Sequence, residues 1–355
     1  MAGPVKKYGF IHAKLRARLS KLIPEETLKR MIDANDLQEA LQYLKNTPYE
    51  AVINAYTDTG DIKMGELELM NQEISTIVEI LKYIKDETYT FVEALAIRYE
   101  VEVIKDALRF WFDRELRGRD VGDSVSYLYR GELVNNINFD VIIYAESIEE
   151  IQTEFQNTIY APVMEKTLPK VQSETSLFPI ETALEALYYK NLIEKLRHLS
   201  NRDREIAERV IGIRIDIENI SRIVRFSRFT SMKPGELEQH LISGGRFMGG
   251  DSLKAAYESS RPERYIIEVL GSHYSDLGAL TGESRKNDIS QLKLITAFLD
   301  DVLDREIKKL LVGYPFTIGI ILAYVMVKQR EISNLVQILN GKYYKLDSGR
   351  LSTIL

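Results

Sequence analysis

The sequence predicts an all-α protein built from one helical unit used three times. Helical periodicity along nearly the whole chain, a scarcity of strand signals and two motifs that recur in the same order predict it. Tyr8, Ile11, Leu15, Leu19 and Leu22 form an i+3/i+4 apolar stripe that Pro24 ends. Leu67–Tyr83, Glu181–Leu199 and Ile289–Leu311 continue the pattern. No run of strict apolar/polar alternation between tight turns is found. Two polar stretches with Gly or Pro, RGRDVGDS (Arg117–Ser124) and TSMKPGE (Thr230–Glu236), interrupt the helices. They divide the chain into 1–118, 119–231 and 232–355.

The repeats follow from direct alignment. ANDLQEALQYLKNTPY (Ala34–Tyr49) matches AESIEEIQTEFQNTIY (Ala145–Tyr160) without a gap. Asn46, Thr47 and Tyr49 fall on Asn157, Thr158 and Tyr160, and Glu39 falls on Glu150. Ser272 and Tyr274 give a fainter third copy. Further on, AIRYEVEVIKDALRF (Ala96–Phe110) matches GIRIDIENISRIVRF (Gly212–Phe226) and, loosely, VKQREISNLVQIL (Val327–Leu339). The acid recurs as Glu100, Asp216 and Glu331, and Asn219 matches Asn334 where the first copy has Val103. Three such units close naturally into a pseudo-threefold body. The Asn-Thr-x-Tyr stretch then marks equivalent corners. Thr47 and Thr158 are candidate caps, with Pro48 near a first-turn position. Tyr49 and Tyr160 are expected to pack on their own unit's long helix.

Composition narrows the function. A net charge of -6 disfavours bulk nucleic-acid binding, which needs a basic face. The absence of cysteine removes disulfides, thiolate metal sites and cysteine nucleophiles. MAGPVKK lacks the apolar stretch of a secretory signal. The run Phe316–Val327, twelve residues, is too short to span a bilayer and reads as a buried helix. SGGRFMGG (Ser243–Gly250) lacks P-loop spacing and reads as a turn. The four histidines are scattered. No catalytic residue, cofactor or metal site is expected. The one metal-like pattern, Asp300, Asp301 and Asp304, could hold magnesium against a diphosphate, as in all-helical isoprenoid synthases. It lacks a second acidic motif, and Arg305, Lys308 and Lys309 beside it favour a solvated face.

Basic residues show more pattern. Residues 1–24 hold six Lys/Arg and no acid, and Lys7, Lys14, Arg18 and Lys21 share one helical face. That face is either solvated or a contact for an acidic partner or anionic lipid. The repeated helix carries Arg98 and Arg109, then Arg214 and Arg225, each pair on one face, with Arg222 added in the second copy. The third copy has Gln329 and Asn340. Local pairing, such as Arg214 with Glu218, and an inward arginine face that meets a partner both fit.

At these residues the chain resembles the C subunit of the archaeal/bacterial A/V-type ATP synthase, the relative of the d subunit of eukaryotic vacuolar ATPases. YGFIHAKLRARLSKL, LQYLKNTPY, IRIDIENISRIVRF, ISGGRF and ILAYVMVKQREISNLVQIL carry the likeness, from Tyr8 to about Leu346. The resemblance implies a funnel of three similar helical subdomains without a catalytic site or cofactor. It implies a monomeric socket in the rotor of a cytoplasmic, membrane-peripheral assembly. Its partners would be the central-shaft subunits and the membrane ring of proton- or sodium-carrying subunits, with membrane association indirect through the ring and no nucleic acid. Its work would be torque transmission. A helical adaptor outside rotary ATPases is the alternative, and an isoprenoid-synthase-like enzyme using Asp300, Asp301 and Asp304 is the third.

Overall fold

The computed structural model describes residues 3–229, 233–274, 288–346 and 351. Among them every regular element is helical. The first third of the chain forms α1 (Pro4–Leu19), α2 (Glu25–Asp33), α3 (Leu37–Gln42), α4 (Glu50–Thr59), α5 (Ile62–Leu81) and α6 (Asp86–Trp111). The second forms α7 (Phe139–Tyr144), α8 (Ile148–Phe155), α9 (Ala161–Glu174), α10 (Phe178–Arg197) and α11 (Asn201–Phe229). The last forms α12 (Pro234–Leu237), α13 (Gly250–Glu258), α14 (Pro262–Gly271), α15 (Asp288–Val312) and α16 (Gly319–Tyr343). The break expected at Arg117–Ser124 is a turn, with Gly118 at φ +61. Residue 231, the other expected boundary, lies outside the described residues.

Local chemistry explains why the corners repeat. The Asp36 carboxylate accepts from the Glu39 amide at 2.8 Å, and the Glu39 carboxylate reaches back to the Asn35 amide at 2.8 Å. At the start of α8, Ser147 Oγ accepts from the Glu150 amide at 3.4 Å, and Glu150 accepts from the Glu146 amide at 3.0 Å. The matched glutamates are one helix start written twice. Thr47 donates to the Leu44 carbonyl (2.6 Å) and accepts from the Tyr49 amide (3.1 Å). Thr158 does the same with Phe155 (2.8 Å) and Tyr160 (3.2 Å), and Ser272 donates to Val269 (2.6 Å). The threonines therefore cap a hydroxyl turn, not the helix itself. Tyr49 and Tyr160 occupy the N-cap positions of α4 and α9, so Pro48 precedes the helix.

The described chain forms two compact units, Met1–Glu181 with Ala323–Leu355, and Thr182–Leu322. In the first, α5 packs on α4 and α6, and α7 packs on α6. Its corner core of Met31, Leu37, Leu41, Leu44, Tyr49 and Val52 is closed by Ile332, Leu335, Ile338 and Leu339 of α16. In the second unit, α13, α14 and α15 pack on α11. The apolar run expected as a buried helix is buried from Ile318 through Met326, largely within α16. Among the described residues no helix is long and apolar enough to cross a membrane.

Candidate functional site

The three repeated carboxylates do one job three times. Each sits on a long helix and holds backbone amides of another third of the chain. Glu100 on α6 is fully buried and accepts from the Asn135 amide and from Asn135 Nδ2, both at 2.6 Å. Asp216 on α11 is fully buried and accepts from the amides of Arg246 (2.9 Å), Phe247 (2.8 Å) and Met248 (3.2 Å). Glu331 on α16 accepts from the Ile23 amide at 2.5 Å and from the Tyr49 hydroxyl. Lys328 Nζ donates to Tyr49 Oη at 2.5 Å and lies 3.5 Å from Glu331 Oε2. A buried carboxylate needs such donors, because an unpaired buried charge is costly.

The glycine-rich stretch belongs to the second clasp. Its amides wrap a carboxylate, but that carboxylate is the protein's own. Gly244 takes φ +95, and a Cβ at Gly245 would stand 2.3 Å from Asp216 Oδ1. The Gly212 carbonyl accepts from the Arg246 amide at 3.3 Å, which brings the loop against α11. Beside it, Asn219 pairs both ways with the Ile242 backbone, at 2.9 and 2.7 Å. The matching Val103 is fully buried and Asn334 half-buried, so the asparagine serves backbone bonding in the second copy alone among these clasps.

The corner tyrosines overturn one expectation. Tyr49 bonds Glu331 of the last third. Tyr160 is buried beside Glu100 of the first third; burial, and then that charge, push its phenol up. No hydrogen bond of good geometry joins them. Tyr274 packs edge-on against Phe247 (5.2 Å) and Phe298 (5.3 Å), close enough to Asp216 to feel its charge. None of the three tyrosines is read by its own third's acid. Each long helix ends its third, so the next corner is the chain that packs onto it. On α16 it is the first corner that takes this place.

Burial pushes the Asp216 carboxyl up to about 6 from 3.8, against the three amide bonds that pull it down. A carboxyl raised in the folded state is protonated there while the unfolded chain has already released its proton. Its stabilising contribution is full below pH 3.8 and lost as pH rises through 6. The stability difference between wild type and Asp216→Asn is therefore expected to fall over that window by about 3 kcal/mol. Urea unfolding of both proteins across pH measures it. Parallel curves would show that the carboxyl titrates alike in the folded and unfolded chain.

The arginines separate by environment. Arg98 on α6 and Arg214 on α11 are half-buried, whereas Arg109 and Arg225 are exposed. Arg109 donates to Glu181 (2.8 Å) and Asp106 (2.7 Å). Arg222 is 3% exposed and engaged inward, with Glu185 at 2.5 Å, Glu218 at 3.3 Å and the His240 carbonyl at 2.7 Å. Glu218, expected as a partner for Arg214, thus serves Arg222. In the last third, Gln329 donates to Tyr99 Oη at 2.6 Å and Asn340 donates to Glu66.

The basic face of α1 also finds partners. Lys7 pairs with Glu87 at 2.5 Å, Lys14 with Glu79 at 2.8 Å, and Arg18 with Glu79 as well. The hydrogen bonds from Arg18 and Lys14 hold the Glu79 carboxyl below its ordinary value. Lys21 remains exposed. Asp301 pairs with Arg305 on the surface of α15, and among the described residues no His or acid cluster is arranged for a metal.

The family model described as "ATP synthase (C/AC39) subunit" matches residues 11–353. The chain belongs to this family. The C subunit of the A-type ATP synthase of Methanobrevibacter smithii is 25% identical over 332 residues, covering 93% of this chain and 83% of that protein. That of Methanocaldococcus jannaschii is 22% identical and covers 98% and 86%. That of Thermococcus gammatolerans is 24% identical and covers 92% and 84%. The family match takes in all three clasps, from Ile23 to Glu331. The signals that could have found their partners were thin. Asn135 and the amides of residues 246–248 belong to no repeated motif, and only the position of Lys328, directly after the apolar run, marked a buried charge.

Proposed function

We propose that this protein is the C subunit of an A-type ATP synthase, a non-catalytic part of the central stalk. It links the central shaft to the membrane ring and passes torque between ATP turnover and proton or sodium flow. The family match over residues 11–353 carries this reading. It lies in the cytoplasm, one copy per complex, and reaches the membrane through the ring. We assign it three pseudo-symmetric subdomains, 1–118, 119–231 and 232–355, arranged as a funnel. Torque transmission requires stiffness, and buried clasps that tie one third to another supply it. The exposed Arg109 and Arg225 on the long helices are the shaft contacts, supported by Arg98, Arg214 and Arg222 on the same helices.

Affinity isolation from solubilised membranes, with partners identified by mass, is expected to recover shaft and ring proteins together. Soluble partners alone would favour a helical adaptor instead. A second measurement addresses the arginines. The double reversal Arg109→Glu with Arg225→Glu is expected to leave folding nearly intact, since exposed ion pairs contribute only about 0–1 kcal/mol. It should lower recovery of the shaft while ring recovery persists. Wild-type recovery of both would remove the arginine assignment but leave the stalk assignment standing.

A further inference from the structure

Two of the three turns that lead into the long helices expose the same chemistry. Tyr83, between α5 and α6, and Tyr314, between α15 and α16, stand at the same sequence distance before the acids Glu100 and Glu331. Tyr83 is 37% exposed and Tyr314 44%. A cation lies 4.2 Å from each ring centre, Lys14 on Tyr83 and Arg202 on Tyr314. The middle third has Leu199 at this position, and it is buried.

Each turn carries further apolar and basic groups. Phe10, 65% exposed, packs on Tyr83 with ring centres 5.2 Å apart, and Val5 on the same helix is 59% exposed. Val312 beside Tyr314 is 86% exposed. Lys6, Lys82 and Lys85 are exposed around the first turn, and Lys308 and Lys309 around the second. Most nearby acids are already held. Glu79 and Glu87 pair with bases of α1, and Glu306 pairs with Arg209 and Lys309. Of the other acids there, Asp86 is exposed, Glu93 lines a cavity with Lys82, Glu205 lines another with Arg202 and Tyr314, and Asp203 is held by the Ile318 amide. Two locally basic, aromatic surfaces thus stand on a chain of net charge -6.

We propose that these two turns bind the anionic headgroup layer of a lipid bilayer. Phe10, Tyr83, Val312 and Tyr314 enter the interfacial zone, where a ring with one polar end is at home. The lysines lay their stems along the apolar groups and present ammonium to lipid phosphates. An acidic protein would meet the lysines but gives no reason for bare Phe10 and Val312. The two surfaces lie in different compact units and are tested separately. The inference does not rest on the stalk reading, because the assay needs neither shaft nor ring.

The full chain is mixed with vesicles of phosphatidylcholine containing phosphatidylglycerol, and with vesicles of phosphatidylcholine alone, then floated on a density gradient. The protein is expected to float with the anionic vesicles, less so as salt rises, and not with the neutral ones. Lys82→Glu with Lys85→Glu should lower flotation about tenfold or more, at roughly fivefold for each basic charge removed. Phe10→Ser and Val312→Ser should lower it at constant charge, with unchanged circular dichroism as the folding control. Absence of flotation, or flotation that all these variants leave unchanged, would overturn the proposal. So would variants that lose recovery of ring or shaft proteins while wild type ignores anionic vesicles; the turns are then protein contacts.

Discussion

Asp216→Ala is expected to detach the segment around Arg246–Met248 from α11 and to cost about 3 kcal/mol or more of stability. Three amides lose their acceptor together, in a place where water does not replace it without opening the loop. Each buried donor left unpaired costs about 1–3 kcal/mol, partly relieved as the loop moves to solvent. Hydrogen exchange at residues 246–248 should rise by orders of magnitude while that of α11 changes little. Gly245→Ala should give a similar local pattern, since its Cβ would press on the same carboxylate. Wild-type exchange and an unchanged urea midpoint in Asp216→Ala would mean that the loop is held by packing and not by the clasp.

The second large effect is expected at the Glu331 cluster. Glu331→Ala leaves the Ile23 amide and the Tyr49 hydroxyl without their acceptor and Lys328 buried without its nearest counter-charge, with only the more distant Glu73 acting on it. Burial already pulls the Lys328 ammonium below its ordinary pKa, with Glu331 acting against that. Removing one partner of a buried pair typically costs about 3–5 kcal/mol. Adding Lys328→Met in the Glu331→Ala background should recover part of that loss, because an apolar chain of similar length no longer needs a partner. Thermal unfolding of wild type, the single mutant and the double mutant decides it. A double mutant less stable than the single would show that the ammonium is stabilised by something other than Glu331.

The helices were legible because their apolar faces repeat at short range. Glu100, Asp216 and Glu331 were legible as a series for the same reason. Their partners were not. Backbone amides have no identity in a sequence, so nothing in VNNIN or SGGRFM announces donors turned toward one carboxylate. The Tyr49–Glu331 contact was misassigned because alignment reveals which positions are equivalent, not which copy each position faces. Similarly, the partners of the α1 cations within the chain were not legible, because Glu79 and Glu87 lie far along the sequence, on helices whose placement depends on the whole fold. Arg222 shows the opposite case. Its extra charge on an apolar helix was visible at once, but its intramolecular partners beyond the adjacent turn, Glu185 and the His240 carbonyl, were not.

The closing of the first corner by α16 also has a consequence on the ribosome. Tyr49 and Glu331 are 282 residues apart. At about 5–20 residues per second, the first corner emerges tens of seconds before the helix that completes its core. During that interval Met31, Leu41, Leu44 and Val52 lack the apolar surface of Ile332, Leu335 and Ile338. The first corner must therefore wait for α16, and a chain truncated before that helix exposes an early-made core as well as losing a late-made one.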